Sequence, residues 1–226
     1  MRNLFFMKTD EPKKLQSETA YRNILDALFS KQLPLGSKLS LKDLERFAGT
    51  AVGPIRDALK VLEADGIVKV HPRSGIEVIK PSVELARSTF QYRTIIERAA
   101  VRQFAETASP KEIDDLRQLH LKELDRLRSV DSGSDQNGHF DHIENAFHAG
   151  IIQSLKNEQI DTSFRRLHLL VQVIKLSDFI SPRAAETTLR EHIEILDACE
   201  QRDGVRAEAK ITDHLMNALT RNLGLR

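Results

Sequence analysis

The sequence predicts a mostly α-helical chain in two parts, a small head closed by one β-hairpin and an all-α bundle after it. Three observations carry this. Between residues 34 and 78, two short helical patterns are followed by two β-branched runs. From Lys80-Pro81-Ser82 onward the apolar period changes from 2 to 3.6 and stays there. Charge divides at the same place: residues 1–80 hold 14 Lys/Arg against 10 Asp/Glu (+4), and residues 81–226 hold 20 against 23 (−3).

In the head, PLGSKLSLKDLERFAGTAVGPIRDALKVLEADGIVKVHPRSGIEV places Leu41, Leu44 and Phe47 at helical spacing, with Lys42, Asp43, Glu45 and Arg46 on the remaining surface. Gly49 ends that helix, and Pro54 suits the first turn of the next. Ile55, Leu59 and Leu62 form its apolar face until Asp65-Gly66 stops it. Ile67, Val68 and Val70, then Ile76 and Val78, flank Pro72-Arg73-Ser74-Gly75 as two strands around a tip. Two helices and a hairpin in this order make a winged helix-turn-helix, whose second helix fits the major groove of DNA. The expected organisation is an arm over 1–16, this head over 17–80 and a helical domain over 81–226.

The bundle is punctuated by its caps. Ser82 opens a long helix to about Thr107, with Leu85, Phe90, Ile95, Ile96 and Ala100 expected inside. Ser109-Pro110-Lys111-Glu112 starts the next, which carries Ile113, Leu116, Leu124 and Leu127 and ends near Ser129. Asp131–Gly138 reads as a flexible loop. Helices follow at about 139–155, 158–178, 182–201 and 204–223, divided by Asn157, Ser181-Pro182 and Asp203-Gly204. Six helices suggest a bundle.

Composition excludes several classes. No stretch approaches the ~20 apolar residues of a membrane helix, and the Leu4–Met7 run is too short for a secretory signal. A single cysteine, Cys199, rules out an internal disulfide framework and fits a reducing cytoplasm. A basic head on an acidic remainder agrees with an electrostatic DNA footprint.

A second constellation lies in the bundle. Glu144 and His148 in HIENAFHAGII are four apart and share a helix face beside Phe147 and Ile151. His192 shares a face with Leu189, Ile195 and Leu196, and His214 with Ile211 and Ala218. Three imidazoles and a carboxylate suit Zn²⁺, Ni²⁺, Mn²⁺ or Fe²⁺ better than Ca²⁺ or Mg²⁺. By spacing alone, boundary histidines with hydrogen-bond partners and a solvated Glu144–His148 pair are the better explanation of the pattern.

Over about residues 17–222 the chain resembles the GntR-type bacterial transcription regulators, in their FadR-like subfamily with an FCD effector domain. The matching head elements are Leu33-Pro34-Leu35-Gly36-Ser37-Lys38-Leu39, Pro54-Ile55-Arg56-Asp57-Ala58-Leu59, Leu62-Glu63-Ala64-Asp65-Gly66-Ile67 and the wing Pro72–Val78. In the bundle they are Arg93 and Glu97, then Glu144-x-x-Phe147-His148, then Glu191-His192 through Asp213-His214-Leu215. The resemblance implies a homodimer on a pseudo-palindromic double-stranded operator, and repression of a catabolic operon relieved by a small carboxylate effector. It implies a divalent ion, zinc foremost, held by Glu144, His148, His192 and His214. It also points Arg93 at the effector, where the alternative is a structural ion pair with Glu97.

Two departures stand out. Glu144 replaces the family's usual Asp. At the start of the recognition helix the family's Ser-Arg-Thr-Pro is Ala51-Val52-Gly53-Pro54, so one guanidinium and two hydroxyls are missing. Val52 and Gly53 are then expected to face the operator in their place, either with Val52 packing on a thymine methyl or with weaker binding that depends on the second protomer and the wing. Arg56 matches the family's retained arginine and is the leading base-reading candidate. Lys42 and Arg46 are better placed for phosphates, and His71, Arg73 and Gly75 form the reading part of the wing. A metal-dependent enzyme using the same four ligands is the competing class, but it leaves the head unexplained.

Overall fold

The computed structural model describes residues 11–129, 136–176 and 181–224, in two units that divide between Pro81 and Ser82. Residues 1–10 of the expected arm and 131–135 of the expected loop lie outside that range.

The head contains α1 (Glu11–Phe29), β1 (Lys38–Leu39), α2 (Leu41–Ala48), α3 (Val52–Ala64), β2 (Val68–His71) and β3 (Gly75–Val78). Residues 11–16 are therefore helical, and α1 is an element that the sequence reading did not identify. Its Ala20, Ile24 and Leu28 are buried with Leu44, Ile55, Leu59 and Leu62 of the two following helices. α2 starts at a capping box: the Ser40 hydroxyl accepts from the Asp43 amide, and Asp43 accepts from the Ser40 amide. It ends on Gly49 at φ 64°, the left-handed position that favours glycine. α3 begins at Val52, two residues before Pro54, with Ala51 at a cap position that offers no side-chain acceptor.

The strands form one antiparallel sheet in the order β1-β3-β2, with Leu39 opposite Ile76 and Val70 also opposite Ile76. Ile76 and Val78 point inward, and Val68 joins them. Gly75 sits at φ +98°, where a Cβ would meet the Leu39 carbonyl oxygen at 2.5 Å. This glycine is demanded by the close approach of β1.

The second unit is six helices: α4 (Val83–Thr107), α5 (Pro110–Ser129), α6 (Gln136–Gln153), α7 (Glu158–Lys175), α8 (Pro182–Glu200) and α9 (Gly204–Asn222). Side chains cap the helix starts at Ser82, Asn157, Ser181 and Asp203, each accepting from a backbone N–H of the first turn. Arg202 closes the end of α4 by donating to the carbonyls of Ala105 and Ala108 at 2.9 and 2.7 Å. The main apolar core runs through Phe90, Val101, Phe104, Phe147, Ile151, Ile195, Leu196 and Ile211.

Two expectations are corrected here. Gln136–Gly138 belong to α6 and not to a loop; a glycine in a helix's first turn disturbs little, because the amides there have no intrahelical acceptor in any case. Ile95 is 64% exposed, while Arg93 and Glu97 of the same helix are buried. At 100° per residue the face of Phe90, Arg93, Glu97, Ala100 and Phe104 turns Ile95 to the opposite side. No helix among the described residues is long and apolar enough to cross a membrane.

Candidate metal centre and nucleic-acid interface

Glu144 and His148 lie one turn apart on α6, His192 on α8 and His214 on α9, and all four are buried. One donor atom of each lies within 4.8 Å of the others. His192 Nε2 stands 3.2 Å from His214 Nε2 and 3.3 Å from Glu144 Oε1. Donors around a tetrahedral ion at ~2.1 Å stand roughly 3.4 Å apart, so these separations are already close to coordination spacing. Glu144 Oε1 and His148 Nε2 have no hydrogen-bond partner. A buried polar atom left unpaired costs about 1–3 kcal/mol, and two at one point mark a place for a cation.

The opposite side of each ligand is satisfied. His148 Nδ1 donates to Glu97 Oε2 at 2.6 Å, and Glu97 in turn accepts from Arg93 Nε at 2.7 Å. His214 Nδ1 donates to Glu191 Oε2 at 2.8 Å, with Arg221 and Asn217 on the same carboxylate. His192 Nδ1 meets His120 Nε2 at 2.9 Å. Glu144 Oε2 accepts from Lys175 Nζ at 2.8 Å. Such outer partners fix the tautomer and orientation of metal-binding imidazoles.

Electrostatics agree with the hydrogen bonding. Burial alone would raise the Glu97 carboxyl, but Arg93 and His148 outweigh it and hold it down at about 2. Burial likewise acts upward on Glu191, and His214 and Arg221 hold it at about 2. Glu144 is held well below the carboxylate range against its burial, chiefly by Lys175. Burial pushes His148 down to about 4 and His192 well below the imidazole range. At neutral pH the outer acceptors are therefore carboxylates, and His148 and His192 are neutral. A neutral imidazole that donates from Nδ1 keeps its Nε2 lone pair, so lone pairs and one carboxylate oxygen converge. This donor set fits a divalent ion of the zinc class.

Arg93 forms the buried ion pair with Glu97 that the sequence offered as its structural role. Its guanidinium also lies close enough to His148 and to His168 of α7 to depress both, and His168 is pushed down to about 4, first by burial. The sequence reading did not single out His120, Lys175 or His168. The signal was present: His120 continues the stripe Ile113, Leu116, Leu124, and Lys175 continues Phe164, His168, Val171. A polar residue in step with an apolar stripe is a buried polar residue in need of a partner.

In the head, Arg56 is exposed on α3, Lys42 and Arg46 are exposed on α2, and Gly53 is exposed beside a half-buried Val52. Arg46 lies 3.5 Å from Asp43. Arg73 is exposed at the tip of the wing at φ 69°. His71 is tied back, its Nε2 2.8 Å from Glu77 Oε2, which leaves less of it for a ligand than the sequence alone suggested.

Comparison with known proteins agrees with both units. Residues 16–78 match the family model for bacterial regulatory proteins of the gntR family, and residues 88–217 match the FCD domain. The chain is 26% identical over 181 residues to the HTH-type transcriptional repressor RspR of Escherichia coli K12, covering 80% of this chain and 77% of RspR. Its fold is similar to that of E. coli McbR/YncC, with a TM-score of 0.75 at 16% identity over 93% of this chain and 98% of the other. The Zn²⁺-bound FCD domain of TM0439 superposes with a TM-score of 0.51 at 18% identity, covering 64% of this chain and 96% of that domain. Proteins of this kind regulate transcription and are not enzymes, which removes the catalytic alternative. With a GntR-type helix-turn-helix head and an FCD domain over more than half its length, the chain belongs to the GntR family of bacterial transcription regulators.

Proposed function

We propose that the chain is a metabolite-responsive repressor whose FCD domain holds a divalent ion, zinc foremost, through Glu144, His148, His192 and His214. The observation that carries this reading is the convergence of four buried donors, each tied from behind by an outer partner. The zinc in the FCD domain of TM0439 supports it by likeness of fold. When bound, the ion supplies a Lewis-acid anchor for an effector oxygen.

The effector is a small carboxylate. Arg93 and Lys175 bring two positive charges to the centre, and Glu97 and Glu144 bring two negative ones. Glu191 is matched by Arg221. A divalent ion therefore leaves two positive charges in excess in a buried region, and an anion neutralises them. Arg93 has one edge on Glu97 and offers its remaining N–H groups as a fork for a carboxylate.

The head, residues 17–80, reads DNA as one half of a homodimer on a pseudo-palindrome. Arg56 contacts bases. Lys42 and Arg46 contact phosphate. Val52 and Gly53 lie against the groove floor, and His71, Arg73 and Gly75 form the wing contact. Residues 81–226 form the effector and dimerisation part of a cytoplasmic protein. Effector binding shifts the population away from the DNA-competent state and releases a catabolic operon.

The test is binding of the full chain to fragments from upstream of its own gene, across a salt series, with and without Zn²⁺ and a panel of small carboxylates. A protected inverted repeat, affinity falling steeply with salt and release by a carboxylate are expected. Unselective binding at every salt concentration would sink the reading.

A further inference from the structure

We propose that His120 is a positioning residue of this centre, holding His192 in the one tautomer whose lone pair faces the other ligands. This rests on the metal reading above and adds a residue of α5, a helix that contributes no ligand or outer carboxylate to the centre.

The chain of hydrogen bonds fixes the protons. His120 is fully buried, and its Nδ1 lies 2.7 Å from the Leu116 carbonyl oxygen one turn back on the same helix. A carbonyl can only accept, so Nδ1 carries the hydrogen. The ring is out of water and its two nitrogens meet a carbonyl and an imidazole, with no carboxylate on either to balance a charge. It is therefore neutral, and Nε2 has a lone pair. That lone pair faces His192 Nδ1 at 2.9 Å, and His192 must donate to it. A neutral imidazole has one N–H, so His192 Nε2 is left bare on the inner side, toward His214 and Glu144.

Packing holds the two rings in place. Phe147 stacks on His192 with centroids 3.8 Å apart and planes 9° apart, and meets His120 edge-on at 5.4 Å. A ring that turned to exchange its nitrogens would have to break these contacts on the way.

The arrangement differs from that of the other two histidines in charge. His148 and His214 donate to carboxylates, whereas His192 donates to a neutral acceptor. The tautomer is set without adding a third outer negative charge around the ligands. His120 therefore does for His192 what Glu97 and Glu191 do for their partners, at no electrostatic cost to an incoming anion.

The test compares metal affinity of the full chain with that of His120→Leu, His120→Gln, His120→Asn and His192→Ala, by competition of Zn²⁺ and Co²⁺ against a chromophoric chelator. Loss of an outer partner typically weakens a metal site about 10–100-fold, and His120→Leu is expected in that range. The Gln amide oxygen falls near the place of Nε2 and accepts from His192, so His120→Gln should recover most of the affinity. Asn is too short to reach and should not. The tetrahedral Co²⁺ absorption should follow the same order. Gln and Asn binding equally well, or His120→Leu binding as wild type does, would overturn the role of His120, even where the leucine variant fails to fold. Wild-type chain that binds neither ion would overturn the metal reading instead, and with it this proposal; His192→Ala, losing a direct ligand, marks the floor.

Discussion

Lys175 Nζ holds one oxygen of Glu144 at 2.8 Å, while the other oxygen of the same carboxylate has no hydrogen-bond partner. The carboxylate is thus half satisfied by the protein and half open toward the three histidines. Replacing Lys175 by Met leaves Glu144 buried with no compensation in the metal-free domain. Breaking a buried ion pair from one side costs about 3–5 kcal/mol, and the expected loss lies at the low end because Lys175 is only partly buried. Zn²⁺ should raise the melting temperature of Lys175→Met by more than it raises that of the wild type. Equal shifts would show that the two cations do not share Glu144.

His192→Ala removes a proposed ligand and the donor to His120. The purified variant should carry markedly less metal than the wild type by elemental analysis, and Glu144→Gln should behave likewise. Metal content unchanged in both would show that the four side chains do not form the site.

Arg56 stands exposed on α3 with no resolved ion-pair partner among the described residues. Arg56→Ala should weaken operator binding by about 1–3 kcal/mol, if it reads a base, with metal content unaltered. A loss shared equally by all sequences, with a shallower salt slope, would assign it to phosphate instead.

Acid should destabilise the metal-free FCD domain early. His148 has a folded value of about 4 against an ordinary 6.5, so between those values the unfolded chain binds the extra proton and the folded one does not. Stability is complete above pH 6.5 and falls as the pH drops toward 4, by roughly 3 kcal/mol from this one group. Half-buried His168, also at about 4, acts in the same direction. Glu97 and Glu191, held at about 2, add their losses below pH 4.5. Denaturant melts of apo protein between pH 7 and 4 measure the effect, and a flat profile would contradict it.

Gly75→Ala places a methyl group 2.5 Å from the Leu39 carbonyl oxygen at φ +98°. Backbone strain of this kind costs about 1–3 kcal/mol, and the clash adds to it. The head should melt earlier and DNA affinity should fall with it, whether or not Gly75 touches DNA.

Much of the fold was legible because helix ends are written in short local codes. Ser82, Ser109-Pro110, Ser181-Pro182 and Asp203-Gly204 each mark a start that the structure places within a residue or two. α1 was not legible: its apolar residues are diluted by Lys, Glu and Arg, and its burial depends on Leu44 and Leu62, which are distant in sequence. The four candidate ligands were readable from spacing and resemblance, because i,i+4 pairs and apolar stripes fix helix faces. Their outer partners were not. Apolar ranking put Ile95 inside, whereas the Glu97–His148 bond draws the opposite face of α4 inward. His120 went unnoticed since its partner is 72 positions away, and only packing of α5 on α8 brings them together.

The centre draws on every helix of the bundle: Glu97 from α4, His120 from α5, Glu144 and His148 from α6, Lys175 from α7, His192 from α8 and His214 from α9. Its polar groups therefore act as a register gauge for assembly. A slip of α8 along α5 by one turn, about 5.4 Å, would exchange Leu189 or Leu196 for similar apolar neighbours at little loss. The same slip would part His192 from His120 and strand both imidazoles in an apolar interior, at about 1–3 kcal/mol for each unmade bond. Leucines alone would tolerate several alignments; the hydrogen-bonded interior admits one.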